Sequence, residues 1–184
     1  METVITGTYN LNEEEEKKLI LREYRALLRV LKQHIKKGDK VLLRRAFEIA
    51  ADAHKDMRRK SGEPYILHPL AVAKIVVEEI GLGVTSAICA LLHDVVEDTE
   101  TTLEDISREF GANYAKIIDG LTKISNVVDL KADTTIQAEN FRKILLTLAD
   151  DPRVILIKLG DRLHNMRTLE SMSREKQLKI SSET

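Results

Sequence analysis

The stretch AICALLHDVVEDTE, residues 87–100, joins an apolar half to an acidic half. The apolar half, residues 87–92, predicts a segment of buried helix. His93-Asp94 follow at once, and Glu97-Asp98 follow one helical turn later. On a continuous helix these four side chains would share one region of the surface, because residues three and four apart are neighbours. The stretch therefore predicts a core helix that ends in a cluster of titratable side chains.

Helical periodicity continues along the rest of the chain and predicts an all-α fold. We expect a flexible N-terminus over residues 1–12 and one domain over residues 13–184, which opens with a helix over residues 13–37. Gly38-Asp39 should end that helix and cap the next. Further helices are expected over residues 40–59, from Pro69 to about Glu79, through the opening stretch, from a capping box at Thr101 and Glu104 to Phe110, over residues 113–124 and 136–150, and over residues 153–169 after Pro152.

Two segments are less regular. Residues 126–134 show neither helical nor strand periodicity and predict a mobile loop. Val154 to Ile157 would also fit a strand, but the proline at their head and the lack of a partner strand favour helix. We find no internal repeat and no linker to a second domain.

Charge and cysteine content narrow the class of protein. Lys and Arg number 29 against 30 Asp and Glu, so no overall field favours DNA or an anionic membrane, and an anionic ligand needs a local site. Cys89 is the only cysteine, which excludes an internal disulfide and fits a reducing cytoplasm. No apolar stretch approaches the roughly 20 residues that span a bilayer. We expect a cytoplasmic protein without a membrane anchor.

A second cluster resembles the first in design. In KLGDRLHNMRTL, residues 158–169, Asp161 follows an apolar lead, and His164 and Asn165 come one turn later. His68 precedes a proline and should lie at the mouth of a helix. Buried carboxylates are costly unless a cation neutralises them, and imidazole with carboxylate is a ligand set for divalent first-row metals. A surface pair would explain His93-Asp94 alone, but the added clusters favour a metal site.

The motifs resemble a known family. His68, His93-Asp94 and Asp161 match the H…HD…D pattern of the HD-domain metal phosphohydrolases. Several longer motifs, in order, are similar to the hydrolase domain of the RelA/SpoT homologues, the enzymes of the guanosine tetra- and pentaphosphate alarmones of the stringent response. They are RKSGEPYILHP, ALLHDVVEDT, FGANYAKIIDGLTK, QAENFRKILLTLADDPRVILIKL and DRLHNMRTL. The resemblance runs from about residue 40 to the C-terminus.

The resemblance implies a site. It implies that one Mn²⁺ is held by four ligands, with an acidic pair beside it for catalysis and a further set of side chains that binds the nucleotide. The ligands would be His68, His93, Asp94 and Asp161, the acidic pair Glu97 and Asp98, and the binding set Arg59, Lys60, Ser61, Asn165 and Thr168. Affinity order alone would favour Zn²⁺, so the choice of Mn²⁺ depends on the resemblance. His164 could orient Asp161, or could lie at the surface.

The implied reaction is hydrolysis of the 3′-pyrophosphate of the alarmone to GDP or GTP plus pyrophosphate. Two alternatives stay open: an HD phosphohydrolase that acts on another nucleotide, and a regulatory module that binds a nucleotide without cleaving it. Two positions depart from the family pattern, with Asp56-Met57 in place of Gly-Gln and Gly160 in place of Ala. Since long family members continue toward a synthetase domain, we expect a fragment of a bifunctional enzyme with further synthetase and regulatory domains.

Overall fold

The computed structural model describes residues 11–128 and 150–171, together with residues 174, 177 and 178. Its described part is helical, which confirms the all-α prediction. The helices are α1 Glu13–Val30, α2 Asp39–Ala53, α3 Leu67–Glu78, α4 Val84–Leu91, α5 Val95–Asp98, α6 Leu103–Phe110, α7 Ala112–Val128 and α8 Arg153–Arg167, with 3₁₀ turns at Leu31–Gln33 and Leu169–Ser171. Within this part, no helix combines the length and hydropathy needed to cross a membrane.

Helices α3 and α4 form the centre of the bundle. They pack against each other, α1 and α8 pack on α3, and α2 packs on α4. Helix α4 is buried along nearly its whole length, and Leu70, Ile88 and Leu91 have no exposed surface. Helix α7 closes the bundle against α6 and α8. The apolar half of the opening stretch is therefore the core, as its composition predicts.

Helix α1 is shorter than the predicted 13–37. Asn12 caps it in a reciprocal box with Glu15, and the α-helix gives way to the 3₁₀ turn after Val30. The turn into α2 is closed by the Asp39 carboxylate, which accepts from the backbone N–H of Lys36 at 2.7 Å. Gly38 takes the left-handed conformation there, at φ 96°, which favours glycine. Gly38-Asp39 begin α2 as predicted, but the prediction that they end α1 is wrong, because α1 has already ended before them.

The opening stretch does not form one continuous helix. Helix α4 ends at Leu91, α5 begins at Val95, and His93-Asp94 lie in the break. In a continuous helix the carbonyl of Ala90 would accept from the N–H of Asp94, but it accepts instead from Nδ1 of His93 at 2.8 Å. A side chain that takes a backbone acceptor in this way interrupts the helix. The ligand candidates therefore lie in a bend and not on a helical face.

Helix α2 also ends before the predicted residue 59. The carbonyl of Ala50 accepts from both the backbone N–H and the ring Nδ1 of His54, and the chain turns there. An isolated β-bridge joins Arg58 to Pro64. Arg59 therefore lies on a tight turn that leads into α3, not at the end of a helix.

Other predicted boundaries differ by smaller amounts. The capping box of α6 consists of Thr102 and Asp105, not Thr101 and Glu104, because the Thr101 hydroxyl accepts from Thr99. The predicted stops at Phe110-Gly111 and near Glu79 are confirmed. Helix α7 runs to Val128, so the predicted loop is wrong for residues 126–128. Residues 129–134 of that loop, and the helix expected over 136–150 apart from Asp150, lie outside the described residues.

Candidate metal centre

Three separate segments meet at one buried point. His68 lies in the first turn of α3, His93 and Asp94 in the break between α4 and α5, and Asp161 near the middle of α8. His68, His93 and Asp161 each offer a ligand atom, and these atoms lie within 4.8 Å of one another. Asp94 lies beside them, with Oδ1 3.1 Å from His93 Nε2 and Oδ2 3.9 Å from His68 Nε2. The structure thus brings together all four predicted ligands.

The imidazole rings present their Nε2 atoms to the centre. His93 donates from Nδ1 to the Ala90 carbonyl, which leaves Nε2 with a lone pair. This Nε2 is buried and has no hydrogen-bond partner within the described part of the chain. His68 Nδ1 lies 2.9 Å from His164 Nδ1, and its Nε2 lies 3.2 Å from Asp161 Oδ1. Metal-binding histidines commonly donate their second ring nitrogen to a fixed partner in this way. The orphaned Nε2 of His93 is the observation that fits a bound cation.

The sequence left open whether His164 orients Asp161 or lies at the surface. The structure places it partly buried against His68, with the two Nδ1 atoms 2.9 Å apart. Burial, with the charges of His68 and Arg59, lowers the pKa of His164 to about 4. Its ring is therefore neutral near pH 7 and can accept from Nδ1 of His68. Burial likewise lowers the pKa of His68. The neutral His68 ring thus donates from Nδ1 to His164 and keeps a lone pair on Nε2 for a ligand bond.

Neighbouring side chains hold the two carboxylates in place. The Tyr65 hydroxyl donates to Asp94 Oδ2 at 2.7 Å. The Asn165 amide donates to Asp161 Oδ1 at 2.8 Å, and Lys158 Nζ lies 3.1 Å from Asp161 Oδ2. Burial would raise the pKa of Asp161, but the hydrogen bond with His68 and the charges of His93 and Lys158 hold it far below its ordinary value. Asp94 also has a lowered pKa, because His93, His68 and Tyr65 outweigh its burial.

Glu97 and Asp98 lie on α5, one turn beyond the centre, and are more exposed than the ligands. Burial and the charge of Asp94 raise the pKa of both carboxyls. Opposing these effects, Lys158 and a hydrogen bond with Ser125 favour the ionised form of Glu97. His54, with Nε2 3.6 Å from Asp98 Oδ2, does the same for Asp98. The carboxyl groups of Glu97 and Asp98 therefore have different neighbours, Lys158 and Ser125 for Glu97 and His54 for Asp98.

The predicted binding residues form a network that touches the centre. Arg59 Nη2 donates to Asn165 Oδ1 and to Thr168 Oγ1, both at 3.1 Å. The Arg59 side chain is only 9% exposed. Lys60 and Ser61 follow in the same turn, where Lys60 is exposed and Ser61 half-buried. Since Asn165 also donates to Asp161, this network is one side chain away from a candidate ligand.

Sequence reasoning missed several residues of the site. No sequence pattern predicted a place in the site for Tyr65, His54, Lys158 or Ser125. Helical spacing could have found Lys158, because it lies three residues before Asp161 on α8. No such pattern relates Ser125 on α7 to Lys158, which it meets at 3.0 Å through the packing of two helices.

The bundle carries an adjacent histidine and aspartate, His93 and Asp94, in the break between two helices. A second aspartate, Asp161, is far from them in sequence but lies beside them in space. This arrangement defines an HD-type domain. The family described as HD domain matches residues 46–184, and the chain belongs to it. A relative from Aquifex aeolicus (strain VF5), named guanosine-3′,5′-bis(diphosphate) 3′-pyrophosphohydrolase, is 49% identical over 142 residues, which is 77% of this chain and 20% of the relative. A probable GTP pyrophosphokinase from Mycobacterium leprae (strain TN) is 45% identical over 158 residues, 86% of this chain and 20% of the relative.

A solved structure is similar as well. It is described by the words "A metazoan ortholog of SpoT hydrolyzes ppGpp and plays a role in starvation responses" and superposes with a TM-score of 0.59 at 26% identity. The match covers 81% of this chain and 83% of that one. The predicted resemblance to the RelA/SpoT homologues is confirmed by these relatives. The chain spans about a fifth of the length of the curated relatives it matches.

Proposed function

We propose that this chain hydrolyses the 3′-pyrophosphate of guanosine tetra- and pentaphosphate, releasing pyrophosphate and GDP or GTP. The observation that carries the proposal is the buried centre of two imidazoles and two carboxylates, with its orphaned His93 Nε2. A hydrogen-bonded network around Arg59 is joined to that centre through Asn165. The names of the Aquifex relative and of the similar solved structure support the substrate.

The cofactor we propose is Mn²⁺, held by His68, His93, Asp94 and Asp161. Two imidazole nitrogens with two carboxylates form a harder ligand set than a thiolate site, which suits this ion. When bound, the ion supplies Lewis acidity toward a phosphoryl oxygen and makes a water molecule more acidic. Tyr65, Asn165 and His164 keep the four ligands oriented for it.

Glu97 and Asp98 are the catalytic residues we propose. They lie one turn beyond His93-Asp94, close enough for the charges of Asp94 and His93 to affect their protonation but outside the ligand set. In hydrolysis the attacking water must lose a proton and the leaving oxygen must gain one, and carboxyls with raised pKa values suit both transfers. The Asp94 charge and partial burial supply that raised pKa.

Arg59, Lys60, Ser61, Asn165 and Thr168 are the nucleotide-binding residues we propose. A guanidinium group can stack on a purine or form paired hydrogen bonds to a phosphate, whereas the Lys60 ammonium acts as a point charge. Asn165 and Thr168 hold Arg59 from α8 and the turn after it. The guanidinium is thus oriented before the nucleotide arrives, which lowers the entropy cost of binding.

For the whole protein we propose further domains, including a synthetase and a regulatory part, in the cytoplasm. The support is the greater length of the relatives, of which this chain spans about a fifth. The hydrolase activity belongs to the described bundle, because all the residues named for it lie there.

The test is incubation of the purified chain with guanosine tetraphosphate and Mn²⁺, with the products resolved by anion exchange. We expect pyrophosphate and GDP, and loss of both bound metal and activity in Asp161→Ala. Asp52→Ala is the matched control, because Asp52 is exposed on α2 and forms a surface ion pair with Lys55. If the chain cleaves other nucleotides but not the alarmone, an HD phosphohydrolase with a different substrate is favoured. If it binds the nucleotide without cleaving it, a regulatory module is favoured.

A further inference from the structure

His54 is a buried histidine that the reaction described so far does not use. It is 1% exposed, at the end of α2, and its ring stacks on Tyr65 with centroids 4.7 Å apart. Nδ1 donates to the Ala50 carbonyl at 2.8 Å. Because a carbonyl can only accept, this bond requires that Nδ1 carries the proton in the neutral ring. The ring is therefore fixed in both tilt and tautomer.

Nε2 of the same ring faces Asp98. It lies 3.6 Å from Asp98 Oδ2, is fully buried and has no hydrogen-bond partner among the residues that the structure describes. In the neutral ring Nε2 is an acceptor, and an ionised carboxylate is also only an acceptor. Two acceptors cannot bond, so a favourable contact needs one further proton between them. The 3.6 Å gap exceeds a hydrogen bond, but such contacts are often long before substrate binds.

Charged groups face the pair from both sides. Burial and the charge of Asp94 favour a proton on Asp98, whereas His93 opposes it, and the Tyr65 hydroxyl is occupied by Asp94. Beside His54, a groove of about 780 Å³ is lined by Lys55, Asp56 and the ion pair of Glu16 with Arg58. The Asp98 side chain is 31% exposed, so the pair can exchange a proton with solvent at Asp98.

We propose that His54 and Asp98 share one proton, which Asp98 delivers to the leaving ribose oxygen, and that Glu97 is the base. This inference rests on the proposed function. The water oxygen forms a bond to the phosphorus attached to the 3′ oxygen, and the bond between that phosphorus and the 3′ oxygen breaks. The electron pair stays on the 3′ oxygen, which takes the proton of the pair. The water proton passes to Glu97, and exchange with solvent then restores both groups.

The two carboxylates differ in the way that this division of roles requires. Lys158 and the Ser125 hydroxyl act on Glu97 and stabilise a negative charge there, which suits a base. Asp98 faces a ring that can hold a proton in reserve. His54 acts only through Asp98, so it is a positioning residue and not a catalytic one.

The kinetic test compares His54→Gln with Asp98→Asn in the Mn²⁺-loaded chain. Gln keeps an N–H toward Asp98 but holds no transferable proton. We expect kcat to fall about 100-fold in each variant, the usual scale of one proton transfer, with KM and metal affinity within about twofold of the parent. The kcat of the double variant should be no lower than that of Asp98→Asn. In the parent, kcat should fall at alkaline pH because the shared proton is lost, and this fall should be absent in Asp98→Asn. His34→Gln, at an exposed position, is the control.

A second readout does not depend on activity. In the chain loaded with diamagnetic Zn²⁺, ring ¹⁵N shifts report whether His54 carries one proton or two. We expect the Nε2 signal of the parent to show a proton shared with Asp98, and that of Asp98→Asn, which is exposed and should fold, to show a bare ring nitrogen under the same conditions. Identical His54 ring ¹⁵N shifts in the two chains, or a parent kcat in His54→Gln, overturn the inference. Absence of alarmone cleavage by the parent chain overturns the proposed function and leaves the ¹⁵N result to decide the shared proton.

Discussion

Arg59 reaches a candidate metal ligand through a single side chain, that of Asn165. We nevertheless expect it to serve binding, because a contact equally strong in ground and transition states changes KM and leaves kcat alone. Arg59→Ala should raise KM about tenfold or more with kcat nearly unchanged. Arg59→Lys should restore affinity only in part, since a point charge lacks the planar fork. Steady-state kinetics decide this, and a collapse of kcat at constant KM would place Arg59 at the reacting phosphate.

Tyr65 provides a second prediction at the same scale. Its hydroxyl donates to Asp94 Oδ2, so Tyr65→Phe removes one bond that orients a ligand and leaves the ring stack on His54 in place. Loss of such an outer contact typically weakens metal binding 10- to 100-fold. We expect the affinity of Tyr65→Phe for Mn²⁺ to be about tenfold lower than that of the parent, as measured by calorimetric titration. Tyr114→Phe, on α7 beside Phe110, should bind the ion like the parent; equal affinity in both variants would show that Asp94 needs no support.

Between elements, the approach of α8 to α3 is set by Gly160. A Cβ at Gly160 would lie 3.0 Å from Val76 Cγ2, closer than ordinary van der Waals contact. Alanine favours a helix over glycine by about 1 kcal/mol, whereas overpacking costs about 1–3 kcal/mol. We therefore expect Gly160→Ala to destabilise the parent.

The effect of Gly160→Ala on the free energy of unfolding should change sign when the close contact with Val76 is removed. In a Val76→Ala background, Gly160→Ala should stabilise the chain by about the helix propensity alone, roughly 1 kcal/mol. A double-mutant cycle by urea unfolding measures the coupling. If the effects of Gly160→Ala and Val76→Ala on stability are additive, the two helices move apart without cost. Gly160 would then not set the distance between His68 on α3 and Asp161 on α8.

The start of α8 should depend on pH. Asp151 accepts from the Arg153 side chain at 2.6 and 2.9 Å and from its backbone N–H, and these bonds lower the pKa of Asp151 despite its burial. A carboxyl whose folded pKa is lowered stabilises the fold above its ordinary pKa of about 3.9, and this stability is lost as pH falls below it. Asp151→Asn should therefore destabilise the chain at pH 6, and the difference from the parent should narrow toward pH 3. A difference in urea midpoint that is constant with pH would contradict this.

For the whole molecule, a bound metal ion should stabilise the fold by joining segments that are far apart in the chain. The candidate ligands come from α3, the α4–α5 break and α8, so the unfolded chain has no assembled site. An ion that binds only the folded state stabilises it by about 2.7 kcal/mol at 100 times its Kd. We expect Mn²⁺ to raise the Tm of the parent in a concentration-dependent manner and to leave that of Asp161→Ala unchanged. Scanning calorimetry over a range of Mn²⁺ concentrations measures this, and a Tm that ignores the ion would exclude a site that joins these segments.

Residue order and local periodicity were sufficient for most elements. The apolar run of residues 87–92, the Gly111 stop and the acidic first turn of α1 all predict structure that the bundle shows, because they act within a few residues. The same locality explains the errors at α2 and at the α4–α5 break. There the His54 and His93 rings take backbone carbonyls, and a periodic pattern does not reveal which acceptor a side chain will take.

The sequence by itself therefore determined the helical class, the core and, through the family resemblance, the candidate ligands. Only the tertiary structure decided how these residues meet. Packing of α8 on α3 brings Asp161 to 3.2 Å from His68, and places Lys158 against Ser125. The contact of His54 with Asp98 joins residues from α2 and α5 in the same way. Such distances depend on side-chain packing between segments far apart in the chain, and periodicity carries no information about them.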